Sequence, residues 1–295
     1  MLLTIKERVD SLCDYTYDFT WQSNKLRPGD IIPFQQGTSY NFKDLVDELR
    51  KGKDVRIIGN TGKRLAYSLG VDLKHFGGTG SVEKAGNIYI DGDAGVEMGM
   101  GMVSGVIYVR GRVTEFICKG KDKLVNNKYD ERSHHLLIDD GLLRGTIAAR
   151  CDCEALVTVE GDTCNGTGLL MQKGVVHVKG DAGMNTGAHL DGGVVIVEGR
   201  AGEFAGAYMK KGALILGDTS GFAGANMKDG VIFAKKKIKT SPPVEELSMS
   251  QEDARVIMKH LGKGHVEAMS YHKYGIMRER LVRMRDGSVV VRRVE

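Results

Sequence analysis

The chain has 295 residues, 41% of them hydrophobic, which is enough for a substantial buried core in one or two domains. Its 42 basic and 38 acidic residues leave a net charge of +4, a mild balance that gives no reason to expect a nucleic-acid-binding protein. Glycine is abundant (40 residues) while proline is scarce (4 residues), so the glycines are expected at fixed turns and not in flexible linkers.

The composition also predicts where the protein resides. No apolar run approaches the length of a membrane span, and the first residues lack the basic, apolar and small-residue regions of a signal peptide. The five cysteines are an odd number in a long chain, which favours a reducing compartment over a disulfide framework. We therefore expect a cytoplasmic protein that binds neither membranes nor nucleic acid.

The first predicted element is a short amphipathic helix in an N-terminal extension that covers residues 1–53. Between Asn41 and Lys51, apolar residues recur at the i, i+3, i+4 and i+7 positions of a helix, and Gly52 follows where helices often end. Those apolar residues are Phe42, Leu45, Val46 and Leu49. We predict that this helix caps the open end of the repeat domain that follows.

A glycine-punctuated repeat occupies residues 54–234 and is interrupted over 113–153. Clear copies begin at residues 86, 155, 174, 193 and 212, and the matching glycines Gly161, Gly180 and Gly199 give a spacing of 19 residues. Each copy opens with a strand in which two apolar positions flank a variable one, as Val176 and Val178 flank His177. This alternation places the constant pair on a buried face and the variable residue outside.

Two further columns follow each strand and its turn. A glycine recurs in every clear copy, and a bulky apolar residue such as Met209 follows three positions later. Glycine at a fixed turn position is explained by a positive φ or by close approach of a neighbouring segment. The predicted structural turn glycines are Gly99, Gly168, Gly187, Gly206 and Gly224.

The repeat length predicts the fold class. A 19-residue unit with one short strand cannot bury its own apolar face, whereas stacked copies can do so. We therefore predict an all-β solenoid, a single-stranded right-handed parallel β-helix of glycine-rich repeats with small α/β flanking segments.

The interruption at 113–153 is polar and introduces most of the cysteines. Their C-x-C spacing differs from the C-x-x-C of common zinc sites, and Cys164 occupies a position where other copies carry Gly183 or Gly202. We predict no metal site. The candidate ligands are Cys118, Cys151, Cys153 and Cys164, accompanied by the pair His134-His135.

The last predicted segment, residues 235–295, comprises a linker, a helix and a basic hairpin. Ser250 and Asp253 form a capping-box pattern that opens a helix ending near Gly262, and Asp286-Gly287 is a hairpin turn signal. The hairpin either contacts an acidic partner or an anionic substrate, or is a solvated edge that discourages strand pairing. The partner-contact candidates are Arg278, Arg280, Arg283 and Arg285.

No catalytic set can be identified from the sequence. The recurring Asp93, Asp162, Asp181 and Asp218 are predicted to be turn residues that bond local N–H groups. Residues 59–63 (GNTGK) lack the spacing of a phosphate-binding loop. We predict no catalytic and no cofactor-binding residues in this chain.

The repeat consensus, a strand followed by G-D-A-G-x-x-x-G-x-x-M-x-x-G, resembles the GXGXG β-helix superfamily. That superfamily includes the C-terminal domain of the glutamate synthase large subunit and the GXGXG-containing subunit of formylmethanofuran dehydrogenase. The match is best over residues 174–230. The entry segment 55–70 and the tail segment 269–275 (MSYHKYG) are more similar to the glutamate synthase side.

The resemblance implies a structural subunit whose catalytic partners are other chains. The first hypothesis is a non-catalytic scaffold of a glutamate-synthase-like oxidoreductase, with FMN and iron–sulfur clusters in partner subunits. The second is the GXGXG-containing subunit of a formylmethanofuran dehydrogenase, whose tungsten or molybdenum pterin also belongs to a partner. A third, from another class, is an autonomous binding module or hydrolase. It predicts a ladder of aromatic or carboxylate side chains on an exposed face, and only Tyr89 over Tyr108 matches that expectation.

Overall fold

The computed structural model describes residues 1–17, 26–72, 79–113, 155–283 and 289–294, with side chains described up to Met277. Its helices are α1 (Phe42–Arg50), α2 (Gln251–Leu261) and α3 (His265–Met269). Its strands are β1 (Leu2–Thr4), β2 (Val55–Ile58), β3 (Ile88–Asp91), β4 (Val106–Val109), β5 (Leu156–Val159), β6 (Val175–Val178), β7 (Asp191–Ala201), β8 (Lys211–Thr219), β9 (Val231–Ala234), β10 (Val244–Leu247), β11 (His272–Ile276), β12 (Arg278–Arg283) and β13 (Val289–Val294).

Eleven of these strands form one large sheet in the order β1-β2-β3-β4-β5-β6-β7-β8-β9-β11-β10. From β1 to β9 every neighbouring pair is parallel, and β11 then pairs antiparallel with both β9 and β10. The strands β12 and β13 form a separate antiparallel pair, as the hairpin turn signal predicts.

The predicted right-handed parallel β-helix solenoid is wrong. The described strands form an open, mixed sheet and no closed coil, and two antiparallel strands complete one end of it. The repeat length predicts that copies stack, but closure into a coil also requires regular strands in the rest of each repeat. Between the main strands the described residues form turns, which are joined by isolated bridges such as Ala94–Val113. Single backbone hydrogen bonds also join them, for example from the His189 amide to the Ala207 carbonyl at 2.8 Å.

The pairing register agrees with the alignment of the repeats. Val157 lies beside Val176, and Val176 lies beside Val195, each one repeat further along the chain. The constant apolar pair of each strand faces the inner side and is fully buried, as it is for Ile107 and Val109. Each buried aliphatic side chain contributes roughly 1.5–3 kcal/mol to folding, so the repeated ladder is the main stabilising feature of the sheet.

Aspartate side chains join neighbouring repeats along one edge of the turns. Asp181 Oδ1 accepts a hydrogen bond from the Arg200 amide at 2.7 Å, and Asp93 Oδ1 accepts one from the Arg112 amide at 2.9 Å. Both donors lie 19 residues further on, so these bonds connect one repeat to the next. The expectation of local bonds holds for Asp218, which accepts from the adjacent Thr219 amide.

The two predicted helices both pack against the sheet, α1 next to β2 and α2 on the outer face of β7 to β9. The helix α1 has the expected capping box at Asn41 and buries its four apolar residues, and Gly52 follows with a φ of 71°. The helix α2 is capped by Ser250 and Asp253 and ends at Gly262 in the left-handed conformation. Residues predicted as a C-terminal tail thus supply two strands and two helices to the main body of the protein.

Candidate interaction surfaces

The outer face of the parallel strands presents side chains in rows that run across the sheet. A central row contains the variable residue of each strand and has two distinct halves. It consists of Leu2, Arg56, Tyr89, Tyr108, Thr158, His177, Ile196, Ile215 and Phe233. An aliphatic row lies beside it and consists of Val106, Leu156, Val175, Val194, Ala213 and Val231.

The helices α2 and α3 cover one half of this face. Ile196, Ile215 and Phe233 are at most 1% exposed because Ala254 and Ile257 of α2 pack against them, together with Ala268 of α3. No described helix covers the half that spans β3 to β6, where Tyr89 and Leu156 are exposed. The sheet thus presents an apolar and aromatic surface directly beside a covered one.

A charged row borders the central row and consists of Asp91, Arg110, Glu160, Lys179 and Glu198. Its side chains pair with one another and with residues of the central row. Asp91 accepts from Arg56 at 2.6 Å and lies 3.2 Å from Arg110. The Tyr108 hydroxyl donates to Glu160 at 2.6 Å, and Lys179 lies 2.8 Å from the same carboxylate.

The remaining carboxylate of the charged row, Glu198, is 2.7 Å from the ring of His177. The bonds from Lys179 and Tyr108 hold the pKa of Glu160 below its usual range, so that carboxylate stays charged near neutral pH. The charged row is therefore a nearly neutral rim of fixed ion pairs.

A second surface is formed by the turns around the glycine column. The five predicted glycines have φ values of 63° to 69°, and positive φ was one of the two reasons expected for glycine there. Residues two positions before and after each glycine also have positive φ, although most of them are not glycine. These flanking residues include Leu170, Asn185, His189, Phe204, Tyr208, Phe222 and Asn226.

The flanking residues stack from one repeat to the next. The rings of Phe204 and Phe222 are 5.3 Å apart, and those of His189 and Tyr208 are 5.0 Å apart and nearly parallel. The sequence indicates only Tyr89 and Tyr108 as an aromatic ladder when the strands alone are considered. In the sequence, the second surface could be recognised from the aromatic residues that recur two positions before or after the glycine column.

A buried polar cluster lies near the N-terminal end of the sheet and was not anticipated. Asp14 is buried, its carboxylate is 3.6 Å from Arg64, and it accepts from the Thr16 hydroxyl at 2.6 Å. The Arg64 guanidinium also lies over the Tyr67 ring, 4.4 Å from its centroid. A buried charge that is paired and hydrogen-bonded in this way fixes local packing, and we assign the cluster a structural role.

The predicted site residues are only partly within the described chain. Of the candidate metal ligands, Cys118, Cys151 and Cys153 lie outside the described residues, whereas Cys164 is described and half-buried. Within the described ranges, no group of three or more His, Cys, Asp or Glu side chains is arranged to hold a metal ion.

The candidate partner-contact arginines lie at the end of the chain. Arg278, Arg280 and Arg283 lie in β12 and Arg285 lies outside the described residues; their side chains are not described. Their proposed contact with a partner stays a prediction. Among the residues that are described, no helix is both long and apolar enough to cross a membrane.

Comparison with known proteins gives a structural neighbour and one curated relative. No family model matches the chain, so membership of the GXGXG superfamily is not confirmed. An uncharacterized protein of Methanothermobacter thermautotrophicus is 38% identical over 196 residues, which is 57% of this chain. The matched part spans 62% of that relative's length.

The structural neighbour is a chain of the formyltransferase/hydrolase complex of Methylorubrum extorquens, solved with methylofuran. It superposes with a TM-score of 0.54 and 21% identity, covering 92% of this chain and 91% of that one. At this level of identity the likeness concerns the fold. It extends over nearly the whole of both chains.

Proposed function

We propose that this chain is a non-catalytic scaffold within a larger assembly of one-carbon metabolism, one that handles formyl groups on a methanofuran-type carrier. The observation that carries the proposal is the match to a chain of the formyltransferase/hydrolase complex over 92% of this chain. A match of that extent includes the flanks of the sheet as well as its repeats. This favours the formylmethanofuran alternative, and none of the comparisons supports the glutamate synthase hypothesis.

The geometry of the sheet suits a scaffold. Its parallel strands repeat the same register from β1 to β9, so surfaces on successive repeats are held at fixed distances from one another. A stack of this kind can position several partner subunits without contributing catalytic groups itself. We propose that the reaction chemistry, including any tungsten or molybdenum pterin, belongs to those partners.

We also propose that the basic hairpin β12–β13 contacts a partner subunit. Its arginines, Arg278, Arg280, Arg283 and Arg285, would pair with an acidic patch on a catalytic partner, where guanidinium groups bind carboxylates in a bidentate geometry. Contacts of this kind weaken as salt is added.

The test is affinity purification of the full-length tagged chain from its native host, followed by identification of the co-purified proteins. We expect a stable complex with larger subunits, and formyl transfer or formyl hydrolysis in the purified assembly. The control is the same host expressing the tag alone. A chain that purifies alone, or one that hydrolyses a sugar or an ester by itself, would contradict the proposal.

A further inference from the structure

The outer face of the sheet changes character where its covering helices end. Under α2 and α3 the central row is apolar and buried, whereas over β3 to β6 it becomes Tyr89, Tyr108, Thr158 and His177. The aliphatic row continues across the boundary without a change of chemistry, from Val194 through Val175 to Leu156. The half that no described residue covers, called the uncovered half below, is therefore a continuation of the surface on which α2 and α3 pack.

The dimensions of the covered half show what shape fits this surface. The helix α2 has 11 residues, which corresponds to about 16 Å at 1.5 Å per residue. Parallel strands are about 4.8 Å apart, so a helix that crosses them places roughly one turn over each strand. The uncovered strands β3 to β6 span about 14 Å, which is the length of a helix of about three turns.

The charged row indicates which charges a helix bound to this face would carry along its edge. The charged row is paired, partly within itself and partly with the central row, so a helix can be placed beside it without burying an unpaired charge. The most exposed charges at this rim are the guanidinium groups of Arg56 and Arg110, which share the single carboxylate of Asp91. Carboxylates on the edge of an incoming helix would complete the pairing of these two arginines.

A second copy of this chain does not offer a suitable helix from its described part. The helix α1 buries Phe42, Leu45, Val46 and Leu49 against its own sheet, and α2 buries Ala254 and Ile257. The apolar faces of α1 and α2 are therefore occupied within one molecule, and α3, with five residues, is too short to span β3 to β6.

We propose that the outer face of β3 to β6, which no described helix covers, binds an amphipathic helix of a partner subunit. The apolar stripe of that helix lies over the aliphatic and central rows, and its acidic residues lie beside Arg56 and Arg110. This rests on the proposed function, because it presupposes a partner subunit. It adds which face of the scaffold is used and which structural element the partner contributes.

The test compares charge substitutions on this face with a matched control. Leu156→Glu and Tyr89→Glu each place a carboxylate on the proposed contact, at side chains that are 37% and 36% exposed. Val82→Glu is the control, because Val82 is an exposed aliphatic residue (66%) that lies outside the strands of this face. Full-length tagged chains are purified from the native host, and their thermal unfolding midpoints are compared to establish that all variants fold.

We expect at least a tenfold loss of co-purified partner for Leu156→Glu and Tyr89→Glu, and none for Val82→Glu. As a second measurement, a photo-crosslinking amino acid at position 156 of the otherwise unchanged chain should attach to a partner peptide whose apolar residues recur at i, i+3 and i+4. This second measurement decides the matter even if a charge variant fails to fold.

The outcomes separate the two proposals. If wild type and both face variants retain the same subunits, and the crosslinks form with water, with the chain itself or with a non-helical peptide, the inference is overturned while the scaffold function stands. If wild type retains no subunit, both proposals fall together.

Discussion

Glycine and aspartate recur at fixed positions of the repeats, and they stabilise the packing of neighbouring repeats in different ways. At Gly206 the backbone is left-handed (φ +69°), and an added Cβ would lie 3.0 Å from Cδ1 of Ile232 in β9 and 3.4 Å from Cδ2 of Leu214 in β8. Its neighbours Phe204 and Tyr208 have similar φ values, so conformation alone does not require glycine. The middle position is glycine because its Cα faces packed side chains.

Gly206→Val should therefore destabilise the protein more than Glu203→Val, three residues earlier. A β-branched residue in the left-handed region costs about 1–3 kcal/mol, and overpacking against Ile232 adds to that cost. Glu203 is half-buried and its backbone has no positive φ. The measurement is the urea midpoint of each variant, and equal midpoints would show that the glycine column does not face the packed interior.

Asp181→Ala should reduce the free energy of unfolding by about 1 kcal/mol, because the Arg200 amide loses its acceptor in the preceding repeat. Asp181→Asn should lose less, since the amide oxygen can still accept. Asn165 already does so from the Met184 amide at 2.8 Å in a neighbouring turn. Chemical denaturation of the three proteins checks this order, and an Asn variant as unstable as the Ala variant would show that charge, and not the hydrogen bond, is responsible.

Cys13 should resist alkylation in the folded protein. Burial raises the pKa of its thiol, and the neighbouring Asp14 raises it further, so the reactive thiolate is absent at pH 8. Peptide mapping after iodoacetamide treatment should show Cys13 unmodified in native protein and modified in urea. Rapid labelling of native Cys13 would contradict its assigned burial.

At the scale of elements, the C-terminal segment divides into an integral part and a separable part. The strands β10 and β11 extend the sheet, α2 and α3 cover Ile215 and Phe233, and the Tyr274 hydroxyl accepts from the Ile238 amide at 3.0 Å. By contrast, β12 and β13 pair only with each other. The boundary of the folded body therefore lies near residue 277, inside the predicted 235–295 segment, and not at its start.

Deletion of 278–295 should leave the thermal unfolding midpoint nearly unchanged, whereas deletion of 243–295 should cause aggregation or loss of the folded state. The longer deletion exposes the apolar residues beneath α2 and removes two strands of the main sheet. Calorimetry and size-exclusion chromatography of the two truncated proteins provide the measurement. A soluble, cooperatively folding 1–242 fragment would contradict this division.

For the whole molecule, the proposed division of labour predicts a protein without its own chromophore or metal. The chain purified alone should be colourless and contain no stoichiometric FMN, iron, zinc, tungsten or molybdenum. Absorbance spectroscopy and elemental analysis test this. Stoichiometric zinc or iron would point to Cys118, Cys151, Cys153 and Cys164 as ligands and would end the assignment of all cofactors to partner subunits.

The amino-acid sequence by itself determined the repeat, the strand register, the buried pair of each strand and both capped helices. Each of these depends on local spacing or on like residues recurring at a fixed interval, as with Val176 between Val157 and Val195. The tertiary structure decided the open, mixed sheet, the packing of α2 on Ile196 and Phe233, and the stacking of Phe204 on Phe222. These features arise from contacts between segments far apart in the chain, and a repeat period specifies which residues align but not whether the turns between strands close into a coil.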